Sequence, residues 1–395
     1  MSFVELPLPQ PGATVAVGMS GGVDSTLAAL LLKERGCRVV GVTMSHWDAS
    51  LSVPEAAGPT DRHSCFGPDE GFDIDECRTF CQKQGIPYHV VDVKDTYKRE
   101  VLDYFRQEYR AGRTPNPCVR CNGTVKFGAL LAGIKAAGIE YDYFCTGHYA
   151  AVGRPDFDLP NGKRPVCVAA AKDAAKDQSY FLYRVSPSVL GLEKIRFPLS
   201  GMTKREVRAL ALERGLEAAA RRESQDFAPP EYLAALFANE ESREGDFVDL
   251  DGRVLGHHRG IEQYTVGQRR GLAVSSGAPL YVHSIDPAQN QVVLASDRDL
   301  FCSGLIADDW VWAGGVPPQA AFRGQVKIRA GSSPAEAVVA PAEDAGTVNG
   351  QKWRISFAEP QRAVAPGQSA VVYIEGIVAG GGVICEGVQN ETHLS

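Results

Sequence analysis

The stretch from Thr14 to Leu32 constrains the fold of this chain more than any other. Thr14 to Gly18 is a short apolar run typical of a buried strand, and Thr26 to Lys33 is an apolar block typical of a buried helix. Gly18-Met-Ser-Gly-Gly-Val-Asp-Ser25 joins them. Glycines let a backbone approach a phosphate, and the free N–H groups of a first helical turn point at it. The stretch therefore predicts a strand, an anion-binding turn and a helix.

Asp24 stands out in this turn, because its charge repels a phosphate. A carboxylate fits such a site when a divalent cation such as Mg²⁺ bridges it to the phosphate. The turn also lacks the lysine of G-x-x-x-x-G-K-[ST] and the spacing of G-x-G-x-x-G. The alternative is an ordinary strand–helix turn in which Asp24 and Ser25 only cap the helix.

Strand-like and helix-like segments alternate from about residue 13 to residue 150. The further strands predicted are Cys37 to Met44, Pro87 to Val93 and Tyr141 to His148. The helices predicted between them are Ile74 to Gln84, Tyr97 to Tyr109 and Val125 to Ala137. This alternation predicts a parallel sheet covered by helices, with ligands at the carboxyl ends of the strands.

The pattern changes after residue 200. Ser200 to Leu216 and Glu231 to Ala238 are predicted helices, and from Gly245 onward short alternating strands and glycine turns predict a β-barrel. We therefore predict an α/β domain over 1–203, a small central linker domain over 204–276 and a C-terminal β-barrel over 277–395.

Composition narrows the class of protein. The 395 residues, 44% hydrophobic and 23% charged, are typical of a globular protein with two or three domains. No apolar run reaches the roughly 20 residues of a membrane helix, and the first residues do not resemble a signal peptide, so a cytoplasmic location without a membrane partner is expected. A net charge of −7 argues against indiscriminate nucleic-acid binding but permits a local basic surface.

A second candidate site is Thr114-Pro-Asn-Pro-Cys-Val-Arg-Cys-Asn122, which carries Cys118 and Cys121. Arg113, Arg120 and Lys126 lie around it, and neighbouring cations favour the thiolate form of a cysteine. A structural turn, half of a metal or iron–sulfur site and a catalytic thiol are all open interpretations. Most of the remaining cysteines lie in apolar runs and are predicted to be inert, whereas the roles of Cys65, Cys77 and Cys81 stay open.

Together these motifs resemble a known family. Ser20-Gly-Gly-Val-Asp-Ser25 is similar to the pyrophosphate loop (PP-loop) of the ATP pyrophosphatases. The cysteine motif, Thr146-Gly-His-Tyr-Ala150, Lys176-Asp-Gln-Ser-Tyr-Phe-Leu182 and Gly260-Ile-Glu-Gln-Tyr-Thr-Val-Gly-Gln-Arg-Arg-Gly-Leu272 make the chain resemble the tRNA-specific 2-thiouridylases (MnmA type). The likeness runs in order through Ala379-Gly-Gly-Gly-Val-Ile384 and so covers nearly the whole chain.

The resemblance implies an enzyme that thiolates C2 of the wobble uridine of tRNA. ATP, with Mg²⁺, adenylates the C2 oxygen, and sulfur carried by a cysteine displaces AMP. The implied partners are tRNA and a sulfur-donor protein or another source of sulfide. The implied fold is a parallel-sheet PP-loop domain followed by a small central domain and a C-terminal β-barrel.

The resemblance also implies roles for individual residues. The ATP site comprises Gly18, Met19, Ser20, Gly21, Gly22, Val23, Asp24, Ser25, Met44 and Gly147. The residues that meet tRNA are Asn116, Pro117, Cys118, His148, Lys176, Asp177, Gln178, Arg329 and Gln368. The implied catalytic residues are Cys121, which matches the nucleophile of the family, together with Cys118 and Asp24. Chemistry at a base edge requires the base to leave its stack, and Asn116, Pro117 and Cys118 would line the pocket that receives it.

One position departs from the family. Members carry a second cysteine, which receives the persulfide, within Asp/Glu-Ser-x-x-x-Cys-Phe, whereas this chain has Glu223-Ser-Gln-Asp-Phe-Ala-Pro-Pro230, with Ala228 at the cysteine position. Either Cys118 takes over the missing role beside Cys121, or Cys118 and Cys121 bind an iron–sulfur cluster with a further ligand from elsewhere. Two other functions also stay open: a PP-loop synthetase that amidates a small molecule, and a non-catalytic tRNA-binding relative.

Overall fold

The computed structural model describes residues 3–48, 65–185, 191–220, 227, 236–237, 242–275, 277–342 and 351–389. Most of the helix predicted over 231–238, most of the loop before residue 65, and Ala228 itself lie outside the described residues. Among the residues described, no helix combines the length and the apolar character needed to cross a membrane.

A five-stranded parallel sheet in the order β4-β3-β2-β5-β8 forms the centre of the N-terminal domain. Its strands are β2 (Thr14–Gly18), β3 (Arg38–Ser45), β4 (Tyr88–Asp92), β5 (Tyr143–Thr146) and β8 (Ile195–Arg196). The chain runs from β2 outwards to β4 and then returns to the other side of β2 as β5. The topological switch point therefore lies between β2 and β5, where ligands of such sheets bind. Gly18 pairs with Thr146 at that edge.

Helices pack against this sheet, and their bounds extend several of the predicted ones. They are α1 (Val23–Glu34), α2 (Glu70–Gln84), α3 (Lys94–Tyr97), α4 (Tyr104–Arg110), α5 (Pro117–Arg120), α6 (Leu130–Ala136) and α7 (Lys204–Glu213). Wider π-helical turns over Lys98–Asp103 and Cys121–Ala129 join α3 to α4 and α5 to α6. The cysteine motif thus begins a helical run that ends at Ala136.

The C-terminal part forms a closed β-barrel, as predicted. Its strands follow the order β18-β13-β16-β15-β14-β17, and pairing of β17 with β18 closes the ring. They are β13 (Phe301–Trp312), β14 (Phe322–Lys327), β15 (Ala335–Pro341), β16 (Trp353–Arg362), β17 (Ser369–Ile374) and β18 (Ile377–Val388). A continuous aliphatic and aromatic core fills it, with Trp353 fully buried.

Three early strands extend the barrel sheet. They are β1 (Phe3–Glu5), β6 (Ala151–Pro155) and β7 (Cys167–Ala169), and β7 pairs with β18. A separate four-stranded sheet lies between the two large parts in the order β10-β9-β12-β11. Its strands are β9 (Gly245–Val248), β10 (Val254–His258), β11 (Tyr281–Asp286) and β12 (Gln291–Ala295). The domain limits at residues 203 and 276 stay predictions.

Candidate active site

The predicted phosphate loop forms a compact turn between β2 and α1. Ser25 stabilises it from within, because its Oγ accepts the Ser20 N–H at 3.2 Å and lies 3.2 Å from the Gly22 carbonyl oxygen, to which it donates. Gly21 has a φ of +72°, which favours glycine. The side chains of Met19 and Val23 point into the core, so these two residues can offer a nucleotide only backbone atoms.

Lys204, which the sequence analysis missed, contacts Asp24. Its Nζ lies 2.8 Å and 2.7 Å from the two carboxylate oxygens of Asp24, and the Tyr149 hydroxyl donates to one of them at 2.9 Å. Lys204 is the first residue of α7, a position where the helix dipole disfavours a cation. That mismatch is the signal in the sequence that could have indicated a partner for this lysine.

Gly147 lies directly against the phosphate loop. A Cβ atom on Gly147 would lie 2.6 Å from the carbonyl carbon of Asp24 and 2.7 Å from the Ser25 nitrogen. The next residue, His148, packs between Phe127 and Phe197, and its Nδ1 is 2.7 Å from Thr146 Oγ1. Burial, with a smaller contribution from Lys126, holds the pKa of His148 well below its ordinary value, so the imidazole is neutral.

The cysteine motif begins a helix through a side-chain cap. Asn116 is buried, and its Oδ1 accepts the Val119 N–H at 3.2 Å, while Pro117 occupies the first helical position, as helix starts favour. Cys118 and Cys121 follow three residues apart, which places them on one face. Both are partly exposed.

Burial outweighs the effect of the neighbouring cations on the Cys121 thiol. Burial raises the pKa of Cys121 to about 11, and Lys126 offsets this only in part. The two arginines have other partners: Arg113 pairs with Glu108, and the Arg120 guanidinium lies 4.3 Å from the centre of the Tyr104 ring. Cys121 is therefore a thiol until a ligand or a sulfur atom changes its surroundings.

An aromatic wall stands beside the cysteines. Tyr97 stacks on Phe66 at 5.5 Å, and the His46 ring lies 4.5 Å from Tyr97. Burial first, and then the nearby thiols of Cys121, Cys65 and Cys118, raise the pKa of Tyr97 well above its ordinary value. All three thiols thus lie within electrostatic range of the Tyr97 hydroxyl.

Glu70, at the start of α2, fixes the segment that follows β3. Its carboxylate accepts the Trp47 N–H at 2.9 Å and the Ser45 hydroxyl at 2.8 Å, and lies 2.8 Å from Nδ1 of His46. Burial raises the pKa of Glu70, but hydrogen bonding and charge from His46, with hydrogen bonding from Ser45, lower it overall to about 2. The carboxylate is therefore charged at neutral pH and holds His46 in place.

The barrel holds the cysteine loop from the other side. Gln368 Nε2 donates to the carbonyl oxygens of Thr114 and Pro115, both at 3.1 Å, and the Thr114 N–H donates to the Pro366 carbonyl at 2.7 Å. Gly367 has a φ of +89°, and a Cβ there would lie 2.8 Å from the Thr114 carbonyl oxygen. The loop from Pro366 to Gln368 thus acts as a strap on the cysteine motif.

Several residues expected to meet tRNA have structural partners. Asp177 Oδ1 accepts the N–H groups of Ala171 and Ser179, and Gln178 Oε1 accepts the Tyr149 N–H at 2.8 Å. The Arg329 guanidinium donates to the carbonyls of Val266 and Ala363, which joins the barrel to the stretch after β10. Lys176 and Met44 are half-buried, Met44 near the carboxyl end of β3. Their contacts with tRNA or ATP stay predictions.

The resemblance implies Mg²⁺ and permits an iron–sulfur cluster, so the side chains that could hold each of them matter. No group of three His, Cys, Asp or Glu side chains in the described part of the chain is arranged to hold a metal ion. Cys118 and Cys121 alone therefore do not fit an iron–sulfur cluster, which takes more thiolate ligands. Asp24 does not present a preformed Mg²⁺ site either, because both of its oxygens contact Lys204.

Comparison with known proteins agrees with this architecture. Residues 13–228 match the family model for the tRNA methyl transferase HUP domain, 234–296 match the tRNA methyl transferase PRC-barrel domain, and 302–384 match the aminomethyltransferase beta-barrel domain. The tRNA-specific 2-thiouridylase MnmA of Endomicrobium trichonymphae is 42% identical over 372 residues, which cover 94% of this chain and 98% of the relative. The same enzyme of Carboxydothermus hydrogenoformans is 40% identical over 379 residues, with 94% and 97% coverage.

Fold and site together define a HUP-domain protein that carries a middle domain and a C-terminal β-barrel. Within that class, the long matches at about 40% identity are decisive. The chain belongs to the tRNA-specific 2-thiouridylase family.

Proposed function

We propose that this protein thiolates C2 of the wobble uridine of tRNA, using ATP to activate the C2 oxygen. The observation that carries the proposal is the packing of Gly147 against the phosphate loop. The next residue, His148, packs against Phe127, which lies in the helical run that begins at the cysteine motif. The phosphate loop and the cysteine motif are thus linked through Gly147 and His148.

The chemistry divides between these two regions. The backbone of Gly18 to Ser25 and the N–H groups at the start of α1 bind the ATP phosphates. ATP supplies the adenylyl group that converts the C2 oxygen into a leaving group. Lys126, whose charge acts on both Cys121 and His148, would neutralise the phosphate of departing AMP. A cysteine-borne sulfur then replaces that oxygen.

The pocket for the uridine is proposed beside the start of α5. Asn116 and Pro117 are fixed there by the helix cap and by the strap from the barrel. A wobble base turned out of its stack would meet Cys118 and Cys121 at the same helix start. Rigid support of this kind keeps a nucleophile near its target, which is a large part of catalysis.

The family models carry the words methyl transferase, whereas the relatives are named for thiolation. The paired thiols of Cys118 and Cys121 favour thiolation, because methyl transfer does not require them. A small-molecule amidating synthetase is disfavoured by the same pair and by the barrel strap.

Thiolation is tested by mass spectrometry of tRNA nucleosides after incubation with ATP, a persulfide donor and unmodified tRNA. We expect 2-thiouridine at the wobble position with the wild-type protein. Cys121→Ser should reduce thiolation by about 100-fold or more while pyrophosphate release continues, because a serine hydroxyl can neither carry sulfur nor attack a disulfide bond. Cys385→Ser, in β18 of the barrel, is the control and should match the wild type. Full thiolation by Cys121→Ser would overturn the assignment of the nucleophile.

A further inference from the structure

Cys65 is a third thiol at the site, and the residue that follows it contacts Phe227. The Phe66 N–H donates to the carbonyl oxygen of Phe227 at 3.2 Å, and the two rings stack at 5.9 Å with an interplanar angle of 10°. In the sequence, Phe227 directly precedes the position where the family carries its second cysteine and this chain has Ala228. The segment carrying Cys65 is therefore hydrogen-bonded to the residue next in sequence to that position.

The backbone of Cys65 is held from the opposite side by His46. The His46 Nε2 atom lies 2.9 Å from the Cys65 carbonyl oxygen, and Glu70 fixes the other ring nitrogen. Phe66 itself is fully buried, in the stack with Tyr97. Cys65 is thus an exposed residue on a firmly anchored backbone.

Cys65 also shares its electrostatic surroundings with Cys121. Burial raises the pKa of the Cys65 thiol, while Lys126 lowers it and Asp73 raises it. The pKa of Cys121 responds to the same Lys126 and to Cys65 itself. Both thiols therefore lie within electrostatic range of Lys126, and Cys121 also lies within range of Cys65.

We propose that Cys65 replaces the missing family cysteine as the thiol that receives sulfur and passes it to uridine opposite Cys121. The inference rests on the proposed function. It differs from a role for Cys118, because Cys118 lies on the same helical run as Cys121, whereas Cys65 lies in a separate segment that is bonded to Phe227.

The step balances as follows. A donor persulfide R–S–SH transfers its outer sulfur to Cys65, which releases R–SH and leaves Cys65–S–SH. The outer sulfur, as its anion, attacks C2 of the O2-adenylated uridine, and the C2–O bond breaks to release AMP. The Cys121 thiolate then attacks Cys65 Sγ, forming a Cys65–Cys121 disulfide, and the electrons of the broken S–S bond remain on the uridine sulfur. N3 takes up a proton to give 2-thiouridine, and an external dithiol reduces the disulfide.

The test is a single turnover without reductant, using full-length protein, tRNA, ATP and a low-molecular-weight persulfide. Tryptic mass spectrometry should find a Cys65–Cys121 disulfide in an amount equal to the 2-thiouridine formed. Cys65→Ser should lower 2-thiouridine by about 100-fold or more with pyrophosphate release unchanged, and Cys385→Ser should change neither. Unchanged pyrophosphate release also shows that the variant is folded.

The outcomes separate the inference from the proposed function. If the wild type makes no 2-thiouridine, both fail. If the wild type is active and Cys65→Ser is equally active, or the disulfide joins Cys118 to Cys121, the role of Cys65 is overturned while the proposed function stands. Restored thiolation in Cys65→Ser/Ala228→Cys would add support, because it would return the thiol to the family position. Absence of any disulfide at Cys65 during thiolation overturns the inference whatever the variants do.

Discussion

At the scale of single residues, the contact between Lys204 and Asp24 changes the expected role of the phosphate loop. Asp24 was predicted to bind a cation that meets the ATP phosphates, yet its carboxylate contacts an ammonium group supplied by the protein. Lys204 is 8% exposed, so its ammonium group is largely shielded from water. It also ties the start of α7 to the start of α1.

We predict that Lys204→Met weakens ATP binding and lowers the free energy of unfolding by about 1–3 kcal/mol, because the carboxylate loses its charged partner. Calorimetric ATP titration and urea unfolding measure the two effects. The matched control is Lys83→Met, whose ion pair with Glu217 is exposed on both sides and should leave stability unchanged. ATP affinity of Lys204→Met equal to that of the wild type would show that the pair does not shape the loop.

The residues of the site differ in how far sequence could reveal them. The phosphate loop and the cysteine motif were recognisable because their residues are contiguous, and a strand–turn–helix sequence forms largely from local preferences. Lys204 lies 180 residues from Asp24, and Cys65 was left open because its neighbour Phe227 is distant in the chain. The burial of Cys121 could not be read from the sequence for a related reason. Residues distant in the chain bury the thiol, and their effect on its pKa outweighs that of the adjacent charges.

At the scale of elements, glycines allow close backbone contact at two places. One is Gly147 beside the phosphate loop, and the other is the glycine-rich strand β18. The sequence analysis predicted short alternating strands and glycine turns from Gly245 onward, without a glycine-rich strand among them. Glycine is uncommon inside strands, and β18 contains Gly380, Gly381 and Gly382 in a row. Cβ atoms there would lie 2.5 Å from the Trp312 ring, 2.5 Å from the Tyr183 ring and 2.7 Å from the Trp310 ring. The aromatic neighbours, which no local pattern reveals, require this composition.

The same reasoning predicts the effect of Gly147→Ala. The new methyl group would meet the backbone of Asp24 and Ser25, so the turn after β5 and the start of α1 must separate. We expect ATP binding to be lost and stability to fall by about 1–3 kcal/mol, as in other overpacked sites. Fluorescent ATP-analogue binding and thermal unfolding measure both. Gly201→Ala, where a Cβ meets nothing within 4 Å, should behave as the wild type; equal ATP binding by the two variants would refute the prediction.

At the scale of the whole molecule, tRNA recognition must arise from local surfaces, since the net charge is −7. Three of the basic residues over 98–113 have acidic partners: Arg99, Arg106 and Arg113 pair with Glu100, Asp103 and Glu108. Arg329 donates to carbonyl oxygens at a junction between parts of the chain. Lys176 is half-buried and carries a positive charge, so its predicted contact with tRNA can be tested by a salt-dependence measurement.

We predict that Lys176→Ala lowers the slope of log tRNA affinity against log salt by about one unit, as loss of one phosphate contact should. Arg329→Ala should instead lower the melting temperature and leave the slope unchanged, because its guanidinium is engaged within the protein. Filter binding at several salt concentrations and thermal unfolding separate the two effects. An unchanged slope for Lys176→Ala would remove this residue from the tRNA surface.

The strap from Pro366 to Gln368 has a consequence for protein synthesis. Thr114, in the loop that carries Cys118, precedes Gln368 of the strap by 254 residues. The loop therefore leaves the ribosome well before the strap does. At about 5–20 residues per second, many seconds pass in which the nascent chain has its nucleotide loop but lacks the clamp on its thiols. A polypeptide that terminates before β17 and β18 can neither close the barrel nor fix the cysteines. The order of synthesis thus delays sulfur chemistry until the last strands have been made.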